Sequence, residues 1–405
     1  MTPWRRNQYV TVATVFVVFT GFAFVLPFLP LYVRELGVAD EESAALWAGV
    51  LIGVAPLLAG LLAPFWGRLA DRHGHKAMAV RALGAYVALL VLSALVSGVW
   101  QLFALRVGIG LFGGIGPLGL AMATSQAPRE ETGRAVGLVQ AAQILSAAVG
   151  PFVGGLLAHA IGIRATFLVA AAVCALALAM VGAWYHDTTS AVAGGAAKPR
   201  TRFAELLRLR QVPALLVVLF LVNFVGRSFT PILPLQLLGL GLDRSRVAFL
   251  TGILISVYSI AAALSATLLG RASRSYSPRG LLATTLAAGA ATVLPMAGVS
   301  SYAQLVGLAV LFGLASGGSL TLCYTVGGLM VPAERRATAF GFFAGAALFG
   351  GSISPSVAGL LAHWDLHGIY YVDTLLCLGL AAALLPGLRR AKGAGATGAS
   401  RDGVA

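Results

Sequence analysis

Acidic side chains are scarce in this 405-residue chain: 14 Asp and Glu stand against 28 Lys and Arg, and charged residues of both signs make up 10% of it. With 59% hydrophobic residues, a water-soluble domain would lack the polar surface to cover itself, so a soluble globular fold is excluded. The three cysteines, Cys174, Cys323 and Cys377, have no paired spacing, which implies neither a disulfide framework nor a metal site. No G-x-x-x-x-G-K-[ST] run is present, which rules out pumping by an ATPase within the chain. No nucleophile–base or metal-ligand constellation marks an enzyme, and no cofactor is implied. No Asp or Glu lies near the middle of any apolar run.

What the chain does have is long apolar runs of about 20 residues, the length that crosses a bilayer as a helix. Twelve are read, near 9–33, 44–66, 77–97, 100–123, 135–159 and 163–185, then 213–236, 247–269, 280–299, 302–329, 337–362 and 368–388. Their apolarity is continuous, without the alternation of a barrel strand, so an all-α integral membrane protein is expected. With the N-terminus inside, the basic residues gather on the cytoplasmic side. Arg5, Arg6, Arg68, Arg72, Lys76, Arg129, Arg134, the run Lys198–Arg210, Arg271, Arg274, Arg279, Arg335 and Arg336 lie there with the tail, against Arg34, Arg164, Arg244 and Arg246 outside. This is the positive-inside bias, and it places both termini in the cytoplasm. The net charge of +14 therefore reports topology and not a nucleic-acid partner. All six Trp sit at or beside run ends, where indole favours the interface. The first run is too long for a signal-peptide core and is expected to be retained. Scarce Lys beside abundant Arg, Ala and Gly suggests a GC-rich bacterial genome.

A repeat at one fixed offset spans the chain. Pro27 and Pro30 return as Pro231 and Pro234, Pro128 and Glu130 as Pro332 and Glu334, and Gly155-Leu-Leu-Ala-His159 as Gly359-Leu-Leu-Ala-His363. Two copies of one apolar unit are how many carriers are built, with the substrate site between halves that rock against each other. The expected organisation is a six-helix half over 1–185, a cytoplasmic linker over 186–212, a second six-helix half over 213–388 and a disordered cytoplasmic tail over 389–405. Within the linker, Phe203–Leu209 sets Leu and Phe against Arg, the pattern of a short amphipathic helix on the membrane surface.

Between the second and third runs stands Gly67-Arg-Leu-Ala-Asp71-Arg72-His-Gly74-His75-Lys76. Its glycines permit a tight turn, and its acid can face the positive end of a neighbouring helix. This resembles the loop signature of the major facilitator superfamily, G-x-L-a-D-r-x-G-r-k, with His75 in place of the customary second Arg. The resemblance implies that Asp71 docks against the start of the eleventh span, near Ala337–Gly341, and locks the outward-facing state, with Gly67, Arg72, Gly74 and Lys76 shaping the loop. The second copy keeps only Gly270-Arg271-Ala-Ser-Arg274, without the acid.

Arg106, in LRVGIGLFGG, lies about six residues inside the fourth run, where a charge is expensive and faces an internal cavity or snorkels to headgroups. It is similar to the family's R-x-x-x-G motif, which implies a part in proton transfer. Gly150-Pro151-Phe-Val-Gly154-Gly155 allows close helix packing and a local kink. It resembles the superfamily's antiporter motif, with Ser146 in place of the leading glycine, and so implies export in exchange for protons. Many proton antiporters carry an acid in the first span; here that stretch is Thr20–Pro27, which leaves Asp71 and Asp373 as further proton-coupling candidates. His159 and His363 read as interfacial residues, and Arg81 as a residue that snorkels to the cytoplasmic surface. Arg227, mid-run and near Asn223, suggests a cavity of positive character or a structural partner for a carbonyl or phosphate. Phe24, Phe28 and Tyr258 are candidate aromatic lining.

The resemblance covers the whole chain and points to the drug:proton antiporter-1 branch. It implies a carrier that works as a single chain in the bacterial cytoplasmic membrane. Its partners would be the lipid bilayer, protons and a small-molecule substrate, a drug or other amphiphile. The alternative is a dedicated exporter of one metabolite, such as a sugar or amino acid.

Overall fold

The computed structural model describes residues 3–125, 127–128, 131–187, 211–331 and 336–398. Every regular element among them is helical. The first span is α1 (Pro3–Ala23), a 3-10 turn over Leu26–Phe28 and α2 (Leu29–Glu35). The second is α3 (Glu41–His73), started by the Asp40 carboxylate, which accepts the Ser43 backbone N–H at 2.8 Å. Gly74, at φ 88°, turns the chain directly into α4 (His75–Leu95). The fourth span is α5 (Val99–Phe112) followed by α6 (Ile115–Ser125). The fifth and sixth run together as α7 (Thr132–Trp184), which bends at Gly162, φ 83°, where a residue with a side chain would be strained.

The second half repeats the plan. The seventh span is α8 (Val212–Arg227) and α9 (Leu233–Gly239), and the eighth is α10 (Arg244–Ala272). The ninth is α11 (Pro278–Val293) with a 3-10 turn over Leu294–Gly298. The tenth is α12 (Tyr302–Ser316) and α13 (Ser319–Met330), the eleventh α14 (Arg336–Leu361) and the twelfth α15 (Gly368–Gly398). Nine helical stretches among the described residues are long and apolar enough to cross a membrane. One of them, Arg134–Trp184, is two spans divided at Gly162, and the shorter apolar helices Val212–Arg227 and Gly368–Leu384 supply the seventh and twelfth. All twelve expected runs are therefore helices.

α15 is helical to Gly398. The amphipathic segment Phe203–Leu209 and most of the linker lie outside the described residues.

Two compact units emerge from the packing. One comprises Met1–Lys198, Ser228–Ser259 and Ser352–Leu366; the other comprises Pro199–Arg227, Ile260–Gly351 and His367–Ala405. In the first, α7 packs along α1 and α4, and α3 along α5, around buried Phe28, Tyr32 and Phe167. In the second, α11 packs along α15, α12 and α13, with Phe312 and Phe343 buried. Parts of α10 and α14 join the first unit because glycines bring their backbones onto α7 and α3.

Candidate functional site

Four spans are interrupted near their middles, and the interruptions obey the sequence repeat. The first breaks between Ala23 and Leu29 and the seventh between Arg227 and Leu233, at the repeated proline pairs. Proline lacks the N–H that would continue the helix ladder, so the break is written in the sequence. The fourth breaks at Gly113–Gly114 and the tenth at Gly317–Gly318, the same positions in the two copies. Gly114 has φ 103°, and its freed N–H donates to the Tyr86 hydroxyl at 3.2 Å. Non-helical backbone at membrane depth is tolerated where protein or a cavity satisfies it, and interrupted spans are where carriers place ligands. Both kinds of break were missed, although the repeated proline pairs and a Gly-Gly pair at the repeat offset were there to be read.

Within the first unit, helices cross with almost no separation. A Cβ on Gly49 of α3 would strike the Pro355 carbonyl of α14, one on Gly53 the Ser352 carbonyl, and one on Gly359 the Ala45 carbonyl. The Ser356 hydroxyl donates to the Gly49 carbonyl at 3.2 Å. The second crossing joins α7 to α10: a Cβ on Gly155 would lie 2.7 Å from the Ala248 oxygen, and one on Gly252 would strike the Pro151 carbonyl. Each crossing ends in a histidine of the repeat. His363 Nδ1 lies 3.3 Å from Glu42 Oε2, and His159 Nδ1 lies 2.6 Å from the Ser245 carbonyl.

The Gly150–Gly155 element thus touches two partners. Gly150 and Gly154, one turn apart, press on Ala23 and Phe24 at the break in the first span, while Pro151 and Gly155 press on α10. Ser146 continues the first face, its hydroxyl 2.9 Å from the Phe16 carbonyl and 2.7 Å from that of Ala142.

The other candidates stand in different local surroundings. Arg106 is 2% exposed, its Nε without a hydrogen-bond partner among the described residues. Arg227 ends α8 and is exposed, with its stem along Gly351, to which Asn223 is also close. Asp373 is fully buried on α15, on the same helix stretch as Cys377, which lies near Gly289 of α11. Phe28 is wholly buried, Phe24 is buried with its backbone under Gly154, and Tyr258 stands edge-on to Phe229 with centroids 5.4 Å apart. Arg81 does not snorkel free: its guanidinium lies 3.4 Å from the Trp66 ring centroid. In the loop signature, Gly67 and Arg72 are exposed in α3 and Gly74 forms the turn, while the Asp71 side chain lies outside the described residues. Lys76 uses its backbone N–H to bind Asp187, a residue that sequence reasoning missed.

A twofold-repeated set of membrane helices, interrupted in matching places and bearing close glycine crossings, is the architecture of a secondary carrier. The chain belongs to the Major Facilitator Superfamily, whose model matches residues 11–255 and 248–402. It is 33% identical to the multidrug resistance protein MdtG of Proteus mirabilis over 80% of this chain and 81% of that protein. It is 31% identical to the multi-drug resistance efflux pump PmrA homolog of Lactococcus lactis over 92% of each. Among solved structures it resembles a bacterial homolog of the human lysosomal transporter Spinster in an inward-facing, occupied conformation, with TM-score 0.76 and 18% identity over 96% of this chain and 93% of that one. It likewise resembles a D-xylose-proton symporter, with TM-score 0.73 and 14% identity over 93% and 96%. At such identities these structures establish the fold alone.

Proposed function

We propose that this protein exports drugs or other small amphiphilic compounds across the bacterial cytoplasmic membrane by alternating access, in exchange for protons. The observation that carries the reading is the double contact of the Gly150–Gly155 element. One set of its atoms meets the break in the first span, and the next set meets α10 at the glycine crossing. Movement at the break and opening of the crossing are thereby tied to one rigid turn of helix. The names of the relatives from Proteus and Lactococcus support a drug-like substrate.

In this reading the crossings form the closed gate at the extracytoplasmic face, both termini are cytoplasmic, and the carrier works as a monomer. Arg227, exposed at the end of a half-helix beside Asn223, meets the substrate. Arg106 remains charged at any relevant pH, so its part in coupling is to set the local potential rather than to give up a proton. Asp71, within the loop signature, holds the cytoplasmic conformational lock. Proton and substrate need not share a site, because each can favour a different state through differential affinity.

The test uses everted membrane vesicles with an imposed acid-inside pH gradient and cationic, neutral and anionic drugs added in turn. Proton release on adding a substrate, absent from vesicles without the carrier, is the expected result. No response to any drug would overturn broad export and favour a carrier dedicated to one metabolite.

A further inference from the structure

We propose that Asp187 is a positioning residue that holds the loop signature in shape by capping the third span from outside it. The inference deepens the reading of that loop as a conformational lock and rests on it.

A helix start leaves backbone N–H groups without partners, and a side-chain oxygen at the residue before the helix commonly satisfies one of them. α4 begins at His75, and the position before it is Gly74, which has no side chain to offer. The Asp187 carboxylate takes this place. Its Oδ2 accepts the Lys76 backbone N–H at 3.1 Å and lies 2.5 Å from where a Cβ on Gly74 would stand. Gly74 is thus required twice, by its φ of 88° and by the carboxylate beside it. A negative charge at the start of a 21-residue helix also meets the positive end of its dipole.

The second half does the same task locally. α11 starts at Pro278, and Ser277 immediately before it accepts the Gly280 N–H at 3.5 Å. The first half instead borrows a residue 111 positions away in sequence. That residue is firmly placed. Tyr185, two positions earlier, is fully buried, and burial pushes its phenol pKa up. His186 is gripped by α1: Asn7 Nδ2 donates to its carbonyl at 2.7 Å, its N–H donates to Asn7 Oδ1 at 3.2 Å, and Arg6 Nη2 lies 3.0 Å from its ring Nδ1.

Hydrogen–deuterium exchange of the full-length protein in detergent tests the cap without reference to transport. Asp187→Ala is expected to speed exchange of the amides around Lys76 by roughly tenfold, the effect of one lost cap. Asp187→Asn, which keeps an acceptor, is expected to restore slow exchange, and the start of α11 is expected to stay unchanged in both. Exchange around Lys76 that ignores Asp187→Ala would overturn the proposal. Should that variant fail to reach the membrane, Asn7→Ala loosens the grip on His186 and is expected to give the same local signature, smaller in size; its absence would count equally against the idea. Ethidium export by everted vesicles tests the positioning role: Asp187→Ala is expected to lower kcat with KM unchanged, with Asp187→Asn near wild type. Unaltered kcat beside faster exchange would overturn that role. Failure of the wild-type chain to move ethidium counts against the export reading instead, and the exchange measurement still decides the cap.

Discussion

Arg106 and Arg227 are both guanidiniums at membrane depth, and the chain treats them in opposite ways. Arg106 is packed to 2% exposure with Nε unpartnered, whereas Arg227 is exposed at a helix end. A buried charge without good partners destabilises a fold, and exchanging it for an apolar side chain of like volume is often stabilising by about 1–4 kcal/mol. Arg106→Met is therefore expected to keep or raise the Tm in detergent while export fails. A large fall in Tm would assign Arg106 a structural partner. Arg227→Ala removes a charge that already faces open space, so stability should change by less than about 0.5 kcal/mol. The expected effect is on which compounds leave: drug-resistance profiles should shift for anionic more than neutral compounds, and an unchanged profile for both would remove Arg227 from the site. Both arginines were legible as single residues, because a charge in an apolar run cannot be missed. Their surroundings were not, since the burial of Arg106 and the exposure of Arg227 depend on helices far away in sequence.

At the scale of elements, the spans could be read from apolar runs. The glycine crossings could not. Gly150–Gly155 announces close packing, but nothing local says that one face meets the first span and the other meets α10. Gly252 carries no motif at all, yet it has the tighter contact, with the Pro151 carbonyl. Backbone stands on both sides, so no rotamer change can relieve an added methyl. Gly252→Ala is expected to cost about 1–3 kcal/mol in the crossed arrangement, as overpacking commonly does. Spin labels at the exposed positions Ala160 and Arg246 should then show a new, longer distance population. A single short distance, as in wild type, would mean that the crossing absorbs the methyl. The Asp187 cap was likewise hidden, because a carboxylate in a polar stretch gives no sign of the helix it will serve.

Over the whole molecule, the repeat foretold two six-helix halves, the plan of the family to which the chain belongs. Charge bias carries the proposed orientation. Alkaline phosphatase fused to the C-terminus should be inactive, and the same enzyme inserted after Ser300 should be active; the reverse pattern would invert the topology. The crossings themselves bear on how such a carrier can move within a bilayer. Their contacting atoms are glycine Cα hydrogens and carbonyl oxygens that belong to helices. Those oxygens are already engaged in the ladders of their own helices. Parting the helices would strand few hydrogen bonds and no buried ion pair in hydrocarbon. Lipid tails or water could fill the opened seam at similar free energy, leaving the two states nearly level. A near-level balance is what a weakly bound, chemically unspecialised cargo would need, because its small preference for one state would suffice to turn the cycle.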